Sequence, residues 1–118
     1  MFIQREIQSF ANAFRGLGLV LMERHMRFHF IMFLCAVALG RIFQITTMEW
    51  IAIFLTGALV IVAECLNSAL ERLCNHLHPE RHLAIRRVKD IAAGGVLFAA
   101  MVAFVVGVMI FLPYVWKN

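Results

Sequence analysis

The sequence predicts an all-α membrane protein, with an N-terminal amphipathic helix in the membrane interface followed by three transmembrane helices. Two observations carry this expectation. Of the 118 residues, 63% are hydrophobic, and the mean hydropathy is +0.84. A soluble domain of this length has too little interior to hide so much apolar side chain, and lipid is the simplest solvent that removes the difficulty. The second observation is the pattern: three long apolar stretches in succession, preceded by a segment that is apolar on one helical face only.

Each element has its own signal. In residues 3–15, Ile3, Ile7, Phe10 and Phe14 share one helical face, while Arg5, Glu6, Gln8, Asn12 and Arg15 lie mostly elsewhere. That suits a helix lying in the interface; the alternative for this segment is a packing helix of a soluble protein. The first span is expected over 28–48. Its uninterrupted apolar core, Phe30 to Gly40, is short, and the flanking His29 and Arg41 can reach toward the interfaces. The second span, 49–73, opens on Glu49-Trp50, with Trp50 as an interfacial anchor, and turns polar on one side after Ala63. The third, 91–116, carries no charge, and Tyr114 and Trp116 mark its far end. No Pro- or Ser-rich linker and no repeat divides the chain, so residues 1–118 read as one domain. The N-terminal residues lack the pattern of a signal peptide.

The formal charge is +4, with 11 Lys and Arg against 7 Asp and Glu. No basic run interleaved with aromatics appears, so a nucleic-acid partner is not expected. In a membrane protein such an excess sets topology and headgroup contact. Arg72, Arg81, Arg86, Arg87 and Lys89 lie between spans two and three; only Arg41 and Glu49 lie between spans one and two. The positive-inside rule then places the second loop and the N-terminal helix in the cytoplasm and the C-terminus outside. The three cysteines, Cys35, Cys65 and Cys74, form no CxxC pair, so neither a disulfide nor a zinc site is expected.

The chemistry-bearing stretch is Ala63-Glu64-Cys65-Leu66-Asn67-Ser68-Ala69-Leu70-Glu71-Arg72. Glu64, Asn67, Ser68 and Glu71 fall at i, i+3, i+4 and i+7, on one face of a helix, and Asn75 extends the stripe. A carboxylate in hydrocarbon costs roughly 2.5–3.5 kcal/mol at a helix centre, so two on one face need a compensating partner, and a metal cation is a good one. The alternative is that Glu71 and Asn75 have emerged into water. A second polar group, Glu23-Arg24-His25-Met26-Arg27-Phe28-His29, precedes span one, and a third, Arg86-Arg87-Val88-Lys89-Asp90, precedes span three. The alternative for both is a solvated flank that fixes topology, although Asp90 adds little to topology and suits a helix N-terminus. A bundle would gather the three groups at one membrane face, giving carboxylates for a divalent cation, cations for phosphates and an apolar slot open to lipid. Those are the parts that phosphoryl transfer needs. The chain has neither GxxxxGK(S/T) nor a protein-kinase glycine loop, which excludes both of those kinase classes.

These residues resemble the prokaryotic diacylglycerol kinase and undecaprenol kinase family over almost the whole chain. The matching blocks are Ser9-Phe10 with Arg15-Gly16, Glu23-Arg24-x-x-Arg27-x-His29, Ala63-Glu64-x-x-Asn67-Ser68-Ala69-x-Glu71, Lys89-Asp90-x-Ala92-Ala93-Gly94, and Ile110-Phe111-Leu112-Pro113. The Glu-Arg-x-x-Arg-x-His block and the Phe-Leu-Pro ending look more like the undecaprenol kinase branch. The resemblance implies a homotrimer with active sites between neighbouring subunits in the bacterial cytoplasmic membrane. It also implies ATP as donor, Mg2+ as cofactor and a membrane lipid alcohol as acceptor. Glu64 matches the general base, and Glu23 and Glu71 match metal-binding carboxylates. Asn67, Lys89, Asp90 and Arg15 match nucleotide or phosphate positions; Ser68, Arg24, Arg27, Asn75 and His82 are substrate or supporting positions. Two departures stand out. Asn75 replaces the family's usual Asp, keeping the hydrogen-bonding shape without the charge. The segment from Gly16 to Glu23 is one residue short, which rotates the entry helix or moves Gly16 off the aligned glycine. The expected activity is phosphorylation of undecaprenol, with diacylglycerol as the alternative acceptor. A different class, a non-catalytic ion pathway or assembly subunit, would need polar groups through the bilayer, and span three offers none.

Overall fold

The computed structural model describes residues 1–117 and contains four helices: α1 (Phe2–Leu21), α2 (Arg24–Phe43), α3 (Thr47–Leu77) and α4 (Leu83–Lys117). Helices α2, α3 and α4 are each long and apolar enough to cross a membrane. The fold class is the one the sequence predicts; the element boundaries differ in ways that have local causes.

Helix α1 extends past residue 15, through Gly16 and Gly18, to Leu21. A glycine inside a helix costs about 1 kcal/mol relative to alanine. That is less than the cost of leaving backbone groups unpaired near lipid, so the helix continues. Ile3, Ile7, Phe10 and Phe14 are all exposed, and α1 has no buried residue. Its apolar face stays exposed among the described residues, as a helix lying in a membrane interface would leave it.

The first span ends at Phe43 and begins at Arg24, displaced toward the N-terminus from the expected 28–48. The cause is a capping box. Thr46 Oγ1 accepts from the Glu49 N–H at 3.3 Å, and the Thr46 N–H donates to Glu49 Oε2 at 3.4 Å, so α3 starts at Thr47. Gln44 takes the left-handed conformation (φ 50°), and the Ile45 N–H reaches back to the Gly40 carbonyl at 3.2 Å, closing α2. Helix α3 has 31 residues and α4 has 35. At 1.5 Å per residue they run about 46 and 52 Å, well beyond the roughly 30 Å hydrocarbon layer. Helix α4 starts eight residues before the expected 91, so Arg86, Arg87, Lys89 and Asp90 are helical.

Helix α3 is central, packed most extensively on α4 and next on α2. The apolar core cluster, Ile45, Ile53 and Ile110, lies where α2 ends, α3 begins and α4 ends, and Phe33, Phe43, Trp50, Phe111 and Tyr114 pack around it. Tyr114 stacks on Phe43 and donates its hydroxyl to Glu49 Oε2 at 2.8 Å. A Cβ at Gly40 would come within 2.7 Å of the Trp50 ring, so α2 and α3 approach closely only because residue 40 is glycine. This apolar clamp holds one end of the bundle and leaves the polar residues at the other.

Candidate active site

At that other end, Glu64, Asn67 and Ser68 are 3%, 9% and 1% exposed, and they are the buried polar side chains among the described residues. Buried polar groups need partners. Ser68 donates its hydroxyl to Glu23 Oε1. Arg72, one turn further along α3, donates to the same oxygen from Nη2 at 3.0 Å and from Nε at 3.3 Å. Glu23 is the N-cap residue of α2, yet its carboxylate does not cap that helix; it reaches across to α3. The Ser68 hydroxyl and, beyond it, the Arg72 guanidinium hold the Glu23 carboxyl below its usual range against the opposing effect of burial.

Glu64 faces α2, where His29 Nε2 lies 3.8 Å from its Oε2. The expectation that His29 reaches toward the interface is therefore corrected: its side chain is 18% exposed and turned into the bundle. Asn67 Oδ1 is buried without a hydrogen-bond donor. Further along the stripe Asn75 accepts from Lys89 Nζ, which ties the carboxylate-bearing face of α3 to α4. Glu71, Asp90, Arg15, Arg24 and Arg27 are exposed. His82 caps α4: its Nδ1 accepts from the Ala84 N–H at 3.2 Å, its carbonyl accepts from the Arg86 N–H at 2.9 Å, and its ring lies 5.2 Å from that of His78.

Two concavities flank this stripe. An apolar groove of about 740 Å3 runs between α2 and α4 over α3, lined by Phe28, His29, Phe33, Val60 and Phe104 among others. A polar basin of about 600 Å3 lies where α3 passes into α4, lined by Arg81, Arg86, Lys89 and both loop histidines. From the sequence, Arg72 and Arg81 read only as setting topology, and Arg86 only as one of the cations before span three. Arg72 carried a signal in hindsight, since it sits four residues after Ser68 and so shares its target.

A hard divalent cation takes oxygen ligands. Glu23, Glu71 and the orphaned Asn67 amide oxygen are of that kind, so the residues fit such an ion chemically. Among the described residues no three His, Cys, Asp or Glu side chains gather closely enough to hold one.

Residues 11–111 match the family model of prokaryotic diacylglycerol kinase. An undecaprenol kinase of Bacillus subtilis is 30% identical over 112 residues, covering 94% of this chain and 91% of that protein. A diacylglycerol kinase of Synechocystis sp. is 29% identical over 107 residues, covering 89% of this chain and 61% of that protein. With the polar end of its three spans built as described, the chain belongs to the prokaryotic diacylglycerol kinase family and is a lipid kinase of the membrane.

Proposed function

We propose that the chain transfers the γ-phosphoryl group of ATP to the hydroxyl of undecaprenol, forming undecaprenyl phosphate at the cytoplasmic face of a bacterial inner membrane. The observation that carries this reading is the placement of Glu64. It is a carboxylate 3% exposed, in contact with a residue of the apolar groove and one helical turn from an unpartnered amide oxygen.

Phosphoryl transfer asks little covalent chemistry of the protein; catalysis is positioning and neutralisation of charge. The groove holds the hydrocarbon chain and brings its hydroxyl to Glu64. Glu64 takes the hydroxyl proton as the acceptor oxygen bonds to the γ-phosphorus and the bond from that phosphorus to the leaving ADP oxygen breaks. Lys89, held by Asn75, faces the phosphates together with Arg81 and Arg86 of the basin. Arg15 and Asp90 complete the nucleotide side, and Arg24, Arg27 and His82 support the surrounding headgroup region. Glu23, Glu71 and Asn67 would hold Mg2+, which supplies charge neutralisation on the β- and γ-phosphates. A homotrimer whose sites are finished by a neighbouring subunit is the assembly that the family resemblance implies.

Undecaprenol is favoured because the relative of that name matches over 91% of its own length. The second reading, diacylglycerol as acceptor, rests on the Synechocystis relative, of which the chain spans 61%. The test presents both alcohols in equal mole fraction in mixed micelles with labelled ATP and the purified full chain. A kcat/KM at least ten-fold higher for undecaprenol is expected; a preference for diacylglycerol reverses the assignment.

A further inference from the structure

The contact between His29 and Glu64 joins the groove to the carboxylate. His29 sits on α2, on the stripe Met26, His29, Phe33, Ala36, Gly40 that turns toward the bundle; all five are buried or half-buried. Its ring packs edge-on against Phe28 at 5.6 Å, which limits the orientations the imidazole can take. The groove contains one other side chain able to hydrogen-bond strongly, Thr56. Thr56 already donates its hydroxyl to the Ala52 carbonyl at 2.8 Å, within its own helix. His29 is therefore the polar terminus of an otherwise apolar trough, and Nε2 is the atom it turns to Glu64.

We propose that His29 is a positioning residue: through Nε2 it fixes the Glu64 carboxylate toward the hydroxyl that the groove delivers. The inference deepens the reading of Glu64 as the base and rests on it. At 3.8 Å the pair is longer than a hydrogen bond. Contacts of this kind are commonly loose without substrate and shorten in the reacting complex. A carboxylate buried beside lipid has no water to hold it in one rotamer, so an N–H from the neighbouring helix does that work. In the tautomer with the proton on Nε2, the imidazole donates to Oε2. The other carboxylate oxygen then remains to receive the proton of the acceptor. His29 itself exchanges no proton in this scheme.

The geometry dictates a specific test, because glutamine and asparagine imitate different nitrogens of histidine. A glutamine amide nitrogen reaches about where Nε2 lies, and an asparagine amide nitrogen stops near Nδ1. Full-length His29→Gln, His29→Asn and His29→Leu are assayed in mixed micelles for kcat and for KM of ATP and lipid alcohol. His29→Leu is expected to lose kcat by roughly ten- to a hundred-fold, a part of the 10²–10⁴-fold that a placed base contributes, with KM for ATP unchanged. His29→Gln should recover most of that loss, and His29→Asn should not. In a Glu64→Gln background, His29→Leu should cost nothing further, since residues that act as a unit are not additive. Equal activity of the Gln and Asn variants, whether both high or both low, overturns the positioning role; so does a wild-type kcat in His29→Leu. If His29→Leu does not fold, the Gln and Asn pair alone decides. Near-normal turnover by Glu64→Gln itself would instead overturn the base assignment on which the inference rests.

Discussion

Glu64 is the proposed general base, and its replacement is the simplest prediction. Glu64→Gln keeps shape and hydrogen bonding and removes the proton acceptor. Turnover should fall by roughly 10²–10⁴-fold while nucleotide binding, followed by a fluorescent ATP analogue, stays near wild type. Asn75→Ala removes the acceptor that holds Lys89. It should raise the KM for ATP several-fold and leave the KM for lipid unchanged, because the freed ammonium on its flexible stem no longer waits at the phosphates. Glu23 gives a prediction in pH. Its carboxyl lies below its usual range, so the contact with Ser68 and Arg72 contributes stability above the unfolded glutamate value near 4.5 and loses it as pH falls through the lower folded value. The thermal stability of the metal-free protein in detergent should fall in that acid window, and Glu23→Gln should flatten the dependence. The stripe Glu64, Asn67, Ser68 was legible in the sequence because helical spacing alone aligns those residues. The role of Glu23 toward Arg72 was not, since it depends on how α2 enters against α3. His29 was legible too, in the 3-4-3-4 spacing from Met26 to Gly40, but its closeness to Arg27 made it look like part of a solvated flank.

At the scale of elements, the boundary between α2 and α3 shows what hydropathy alone conceals. The apolar character runs from Phe28 to Met48 with few breaks, so a span read from hydropathy passes straight through the turn. The capping signal Thr46-x-x-Glu49 was present all along and marks the helix start that hydropathy cannot see. Thr46→Ala should cost about 1 kcal/mol and lower the midpoint of unfolding in detergent by a few degrees, since it leaves the Glu49 N–H without its partner. The extension of α4 down to Leu83 has a similar origin. The His82 side chain supplies the first-turn acceptor, and a charged stretch outside the hydrocarbon is free to stay helical. Its consequence is geometric: Lys89 sits on a helix, one that places it against Asn75.

At the scale of the molecule, the chain has extents of 54 × 45 × 20 Å, and most large apolar side chains are exposed. Lipid accounts for that surface, as the composition led one to expect. It does not account for the unpartnered Asn67 oxygen. Assembly into a trimer is the proposed answer. Native mass spectrometry from detergent should give three copies, and a monomeric mass would overturn the proposed assembly.

The unbroken length of α3 has one more consequence. Its clamped end, where Trp50 packs against Gly40 and Tyr114 bonds to Glu49, is fixed, and the axial rise from Trp50 to Glu64 is about 21 Å. With α3 across the bilayer and Glu64 as the proposed base, the helix would act as a depth gauge with its zero near one face and its working mark near the other. Nothing in α3 interrupts the helix between these points to absorb a change in thickness. Stretching or thinning the hydrocarbon layer moves the plane of lipid hydroxyls past Glu64 while the carboxylate stays where the helix pitch puts it. Turnover in vesicles of graded acyl-chain length should pass through a maximum at one thickness, and inserting a full helical turn between Leu55 and Val60 should shift that maximum toward thicker membranes.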